Sequence, residues 1–186
     1  NQMKLDGVVP NTVTYICILS GLAQKGEMNY ALQMLNQMKL EGITPDIMIY
    51  NCLIDGFSKK GDMKNSMQTF NQIRLEGIKP SIVTYNCIID GFSKQRDMRN
   101  AMAIFNQMKL GGIKPDVITF NSLIDGYSKQ GDMTNAMTIF NQMKLDRIKP
   151  DVITFNSLID GYSKQGDMEN AMKIFNQMKL NGIKPD

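Results

Sequence analysis

Apolar residues recur along this chain at helical intervals, in short blocks that alternate with polar turns. Over residues 152–186, Phe155, Leu158, Ile159 and Tyr162 stand at i, i+3, i+4 and i+7. That spacing predicts one apolar face of an amphipathic helix. A second periodic set follows: Met168, Ala171, Met172, Phe175 and Met178. Asp151 precedes the first set as an N-cap, and Asp167 precedes the second. Gly166 between them supplies a permissive helix C-terminus. Lys179 suits the last turn of the second helix, and Gly182 and Pro185 end it. No segment alternates with the two-residue period of a strand.

The same pattern returns every 35 residues. Block 117–151 differs from block 152–186 at four positions only: Thr134/Glu169, Thr138/Lys173, Asp146/Asn181 and Arg147/Gly182. Earlier blocks, 12–46, 47–81 and 82–116, diverge progressively, and residues 1–11 read as the end of a preceding block. All six prolines share one register. A fixed period of this length predicts a solenoid of stacked helix–turn–helix units. Three departures mark locally softened repeats. Arg96 and Arg147 stand where the other blocks carry a turn glycine, which costs stability if the left-handed backbone is kept. Glu27 replaces a capping aspartate.

Composition narrows the function classes. The chain is 42% hydrophobic and 21% charged, with a formal net charge of +3. It is too apolar for a disordered tail, and no apolar run reaches the length of a membrane span. There is no secretory leader pattern. Histidine is absent, which removes histidine acid–base chemistry and histidine metal sites. Cys17, Cys52 and Cys87 are one repeat position seen three times. They read as half-buried thiols in a reducing compartment. Of the 16 methionines, fourteen fall at three positions of the second helix, in sets of five, four and five. Those positions belong to its inward face, so the methionines read as packing. No metal, no cofactor and no catalytic constellation is expected.

On the first helix of the last block, Ile153, Asn156, Asp160 and Lys164 form a second stripe. At about 100° per residue it lies roughly 150° from the apolar face. Each repeat thus packs on one side and offers a mostly polar stripe on the other. Asn51, Asn86, Asn121 and Asn156 occupy one position of it, although Asn is a poor helix former.

The motif V-x-[TI]-[YF]-N-x-L-I-D-G, a Gly-Asp helix junction and M-x-x-x-G-I-x-P-D, recurring over 12–186, resembles the pentatricopeptide repeat family. The constant 35-residue length is similar to the family's P class, and the near-identity of repeats to its fertility-restorer-like members. The resemblance implies an all-α fold, a right-handed alpha-alpha superhelical solenoid. It also implies binding of single-stranded RNA, about one base per repeat. In the family, the stripe residue and the last residue of the repeat read the base together. Here those pairs are Asn51/Ser81, Asn86/Asp116, Asn121/Asp151 and Asn156/Asp186. The first repeat pairs Ile16 with Asp46, and Ile16 has no group to bond a base edge. By the family code, Asn with Asp favours U, and Asn with Ser favours a pyrimidine, C before U. Arrays of the family bind RNA parallel, N-terminal repeat to the 5′ end, so the core that the resemblance implies is 5′-N-Y-U-U-U-3′.

The resemblance also assigns Val13, Met48, Val83, Ile118 and Ile153 to sandwiching the bases, and Lys59, Lys94, Lys129 and Lys164 to phosphate contact. Simpler roles compete with each. Asp46, Asp116 and Asp151 suffice as N-caps. The apolar residues could pack on a neighbouring repeat, and each lysine could pair with the aspartate four residues before it. A protein-binding scaffold subunit of a larger ribonucleoprotein complex is the competing function; the same amide at one register in four repeats favours RNA. The family implies an organelle, mitochondrion first and chloroplast as the alternative. Neither end of the chain carries a capping pattern, so end-to-end self-association of the fragment is a further expectation.

Overall fold

The computed structural model describes residues 10–184, and the chain divides into two compact units, Asn1–Gly91 and Phe92–Asp186. The described residues form ten α-helices and no strand. The first unit holds α1 (Thr12–Lys25), α2 (Met28–Leu40), α3 (Ile47–Lys59), α4 (Met63–Leu75) and the first part of α5 (Ile82–Lys94). The second holds the end of α5, then α6 (Met98–Leu110), α7 (Val117–Gln130), α8 (Met133–Leu145), α9 (Val152–Lys164) and α10 (Met168–Leu180). Each 35-residue block thus contributes two helices. Residues 1–9 of the preceding-block tail, and the terminal Pro185 and Asp186, lie outside the described residues.

Local chemistry sets the helix ends. Asp116 and Asp151 start α7 and α9 with reciprocal capping boxes, each carboxylate accepting from the backbone N–H of Thr119 or Thr154 at 3.0 Å. The threonine hydroxyl accepts in return from the aspartate N–H at 3.1 Å, so two otherwise orphaned donors are satisfied. The second helices begin on Asp62, Asp97, Asp132 and Asp167, whose carboxylates accept from the N–H three residues on. Glu27, as its longer side chain suggests, makes no capping bond to α2. Arg96 and Arg147 both keep the left-handed turn, each with φ of 60°.

Within the first unit α1 packs on α2 and α3, and α3 on α4; within the second, α7 packs on α6, α8 and α9. Tyr50, Leu53, Ile54 and Phe70 are sealed in the first unit, and Phe120, Ile124, Phe140 and Phe155 in the second. Edge-to-face aromatic pairs tie a second helix to the first helix of the next repeat: Phe105 with Phe120 and Phe140 with Phe155, at 5.7 Å, and Phe70 with Tyr85 at 5.4 Å. Such pairs add about 0.5–1.5 kcal/mol beyond their buried area.

The methionine pattern needs correction. Met98, Met108, Met133 and Met143 are buried, but Met102 and Met137 are half-buried, and Met168 and Met172 of the last repeat are 56% and 50% exposed. The middle position sits on the flank of the packed face. Ile104, Ile139 and Ile174, at 5% exposure each, fill the core there instead. The helix-interior glycines explain how close the repeats pack. A Cβ on Gly126 would stand 2.5 Å from Met98 Sδ and 2.8 Å from Ser93 Cβ; one on Gly56 would meet Met28 and Ala23 as closely. Glycine is there because α7 has no room for a side chain at that point.

Candidate nucleic-acid interface

The stripe asparagines are less open than their polar register suggests. Asn51 and Asn121 are each 7% exposed, because each amide is clasped by the start of the next repeat's first helix. In the second unit, Asn121 Nδ2 donates to Asp151 Oδ1 at 3.0 Å, while Thr154 Oγ1 donates to Asn121 Oδ1 at 2.5 Å. Thr154 is fully buried. The first unit repeats the arrangement with a hydroxyl in place of the carboxylate. Asn51 Nδ2 donates to Ser81 Oγ at 3.3 Å, and Thr84 Oγ1 donates to Asn51 Oδ1 at 2.7 Å. Ser81 and Thr84 also lie 3.1 Å apart, and either hydroxyl can donate.

An amide has two N–H groups and two acceptor lone pairs. In each clasp one of each is used by protein, so one donor and one acceptor remain for an outside ligand. Capping and amide contact coexist in Asp151, which accepts from both the Thr154 backbone and Asn121. Burial pushes its carboxyl upward. The bonds from the Thr154 N–H and the Asn121 amide outweigh that and hold it below its ordinary value, so it stays ionised.

The apolar members of the stripe face solvent. Val13, Met48, Val83, Ile118 and Ile153 are between 51% and 63% exposed, so none is consumed by packing. Ile118 lies three residues before Asn121 on the same helix face, and Ile153 adjoins Thr154, the residue that grips the amide. Met48 and Val83 hold the corresponding positions about Asn51: one three residues before the amide, the other next to the threonine that grips it.

The lysines that end the stripe are surface groups with local partners. Lys59 bonds Asp55 at 2.6 Å, Lys129 bonds Asp125 at 2.8 Å, and Lys164 bonds Asp160 at 2.6 Å. Exposed pairs of this kind contribute only about 0.2–0.5 kcal/mol, so a phosphate can compete for the ammonium. Lys94 is exposed at the same register of α5.

The remaining expected positions separate into unlike environments. Ile16 is half-buried, and Asp46 is exposed and spends its carboxylate on the N–H groups of Met48 and Ile49. Asn86 is 8% exposed in the first unit, and Asp116 caps α7 in the second. Asn156 is exposed, and its partner Asp186 lies outside the described residues. The clasping threonines were not among the expected site residues. Their one signal in the sequence is the [TI] position of the recurring motif. Among the described residues, no cluster of three His, Cys, Asp or Glu could hold a metal, and no helix is long and apolar enough to cross a membrane.

Two sequence profiles match. The PPR repeat family matches over residues 80–129, 115–164 and 150–186, and the pentatricopeptide repeat domain over 1–60 and 42–95. The chain belongs to the pentatricopeptide repeat family. No curated protein matches it in sequence. Among solved structures, this pentatricopeptide repeat chain is similar to PPR10 in complex with an 18-nt psaJ RNA element, at 24% identity over 95% of the chain with a TM-score of 0.81. It is similar also to PPR10 from maize, at 27% identity over 96% of the chain and a TM-score of 0.80. In both cases the chain spans 26% of the PPR10 chain. A third likeness is the PPR domain of Arabidopsis thaliana protein-only RNase P 1 in complex with tRNA. It has 18% identity, covers 90% of this chain and 89% of that one, and has a TM-score of 0.73. These likenesses fix the fold as the all-α helical-repeat type.

Proposed function

We propose that this chain binds single-stranded, pyrimidine-rich RNA, one base per repeat, with the core 5′-N-Y-U-U-U-3′ and C preferred at Y. The observation that carries the reading is the clasped amide, present at Asn121 and again at Asn51, with exposed apolar residues three positions before it and next to the clasping threonine. Uracil offers a donor at N3 and acceptor carbonyls. An amide oxygen accepts from the one, and the amide nitrogen donates to the other. Cytosine reverses that pattern, so the orientation of the amide decides between them. Asp151, held ionised, only accepts, and therefore keeps the amide nitrogen toward itself. Ser81 either donates or accepts, and so leaves Asn51 able to read both pyrimidines. By the family code, Asn86 with Asp116 and Asn156 with Asp186 read U as well, while Ile16 with Asp46 discriminates little.

PPR10 and the RNase P domain carry RNA in their solved complexes, which supports an RNA partner here. The chain supplies no chemistry of its own; it acts by occupying a transcript, in organellar RNA processing, stability or translation. The mitochondrion is the first assignment and the chloroplast the second.

A titration against RNAs carrying a C-U-U-U core and a matched purine core tests the reading. The pyrimidine RNA binds more tightly, with a slope of log affinity against log salt of about −3 if Lys59, Lys94, Lys129 and Lys164 each engage one phosphate. Equal affinity for the two cores overturns base reading.

A further inference from the structure

We infer that the threonine, where it stands at the third position of a first helix, is a specificity-determining positioning residue for the base read by the preceding repeat. This inference rests on the RNA-reading proposal and deepens it. Thr154 belongs to the fifth repeat, yet its hydroxyl reaches Asn121 of the fourth, and Thr84 of the third reaches Asn51 of the second.

The repeats themselves vary the pair together. Asn51, Asn86 and Asn121 are each followed 33 residues later by a threonine: Thr84, Thr119 and Thr154. Ile16 is followed at the same distance by Ile49, which is fully buried. Where the amide is missing, the hydroxyl is missing too. As a helix cap alone, Thr154 would have no reason to follow the identity of a residue one repeat earlier.

The two clasping groups do different work. Asp151 accepts only, so it decides which end of the amide is nitrogen. That is a single tether, and an amide held by one atom still swings about its side-chain torsion. Thr154 ties the oxygen end at 2.5 Å, a nearer acceptor for its one hydroxyl proton than Asp151 Oδ1 at 3.0 Å. With both ends tied, the plane of the amide is fixed, and its free donor and acceptor present one edge to the base. The Thr154 hydroxyl is itself held, because it accepts from the Asp151 N–H at 3.1 Å. Asn121, Asp151 and Thr154 thus form a closed unit.

The test is a set of single-base series, with U, C, A and G placed in turn at the second, third, fourth or fifth base of an otherwise constant 5′-N-C-U-U-U-3′ core, bound by the wild-type chain, Thr154→Val, Thr154→Ser and Thr84→Val. Valine keeps the shape and removes the hydroxyl; serine restores it. The expected result is that Thr154→Val lowers the preference for U at the fourth base about three- to tenfold, the range of one net hydrogen bond. Preference at the third and fifth bases stays unchanged, and Thr154→Ser recovers the fourth. Thr84→Val moves only the second base, which keeps the inference testable should Thr154→Val fold poorly. A purely structural threonine would weaken all RNAs of the series equally, and that result overturns the inference. If the wild type prefers U and Thr154→Val keeps that preference in full, the inference falls alone. If the wild type shows no preference, the RNA reading falls and the inference with it.

Discussion

Replacing Gly126 by alanine tests how the repeats are held at their spacing. An alanine Cβ there would stand 2.5 Å from Met98 Sδ, 2.8 Å from Ser93 Cβ and 3.0 Å from Met98 Cε. Optimal non-bonded separations are roughly 3.5–4.0 Å, so each contact is short by about 0.5–1 Å or more. Met98 is only 4% exposed and has little space to retreat. Overpacking of this kind costs about 1–3 kcal/mol. Against it stands the better helix propensity of alanine, worth about 1 kcal/mol. Gly21 holds the same register in α1 and has nothing within 4 Å of its Cβ position among the described residues, so Gly21→Ala gains the propensity without the clash. Gly126→Ala should therefore be less stable than Gly21→Ala by about 1–3 kcal/mol. For a chain of this size, each kcal/mol corresponds to roughly 2–4 °C in Tm. Helix melting by circular dichroism reads the difference, and hydrogen exchange at α7 localises it, since repeat arrays can unfold in parts. Adding Met98→Ala to Gly126→Ala should cost less than the two changes summed. Equal stabilisation at Gly21 and Gly126 would refute the close-packing argument.

Other expectations rest on separate features. Arg147→Gly removes a left-handed arginine at φ 60°. It should raise stability by about 1 kcal/mol, given a penalty of about 1–2 kcal/mol for a side chain there; an unchanged or lower denaturation midpoint contradicts this. Asp151 titrates below its ordinary value in the folded chain. Its contribution to stability is thus full above the unfolded carboxylate pKa, about 3.9, and is lost as pH falls through the depressed folded value. Acid unfolding curves of the wild type and Asp151→Asn should converge in that window, and parallel curves would count against it. Burial, with Asp55 and Asp90 nearby, pushes the Cys87 thiol up to about 12, whereas Cys17 is exposed. A thiolate-directed reagent at pH 8 should label Cys17 in the native chain much faster than the half-buried Cys87, and unfolding should remove the difference; comparable native rates at both would contradict the raised Cys87 thiol.

The two-helix unit was legible because its signals are local. Asp151 and Asp167 announce the helix starts within a few residues, and the strain at Arg96 and Arg147 followed from glycine standing in the other blocks. The core face of the first helix followed from its period. What the sequence did not disclose is tertiary. The grip of Thr154 on Asn121 spans 33 residues, and no local pattern distinguishes it from an ordinary capping box. The Gly126–Met98 approach is of the same kind, although a glycine repeated inside every first helix was a signal of close packing. Asn121 lies on a polar stripe by angle, yet it is nearly covered, because the next helix starts against it. Cys17 and Cys87 share one register but differ in exposure, since burial depends on which neighbours flank a repeat.

The most direct test of base reading changes one residue and one base. The wild-type chain and Asn121→Thr are each titrated against 5′-N-C-U-U-U-3′ and 5′-N-C-U-G-U-3′. By the family code, Thr with Asp151 reads G. The wild type should therefore prefer U at the fourth base, and Asn121→Thr should reverse that preference toward G, with the other four bases read as before. An Asn121→Thr chain that weakens both RNAs alike, with no change in their order, would contradict the assignment of Asn121 and Asp151 to the fourth base.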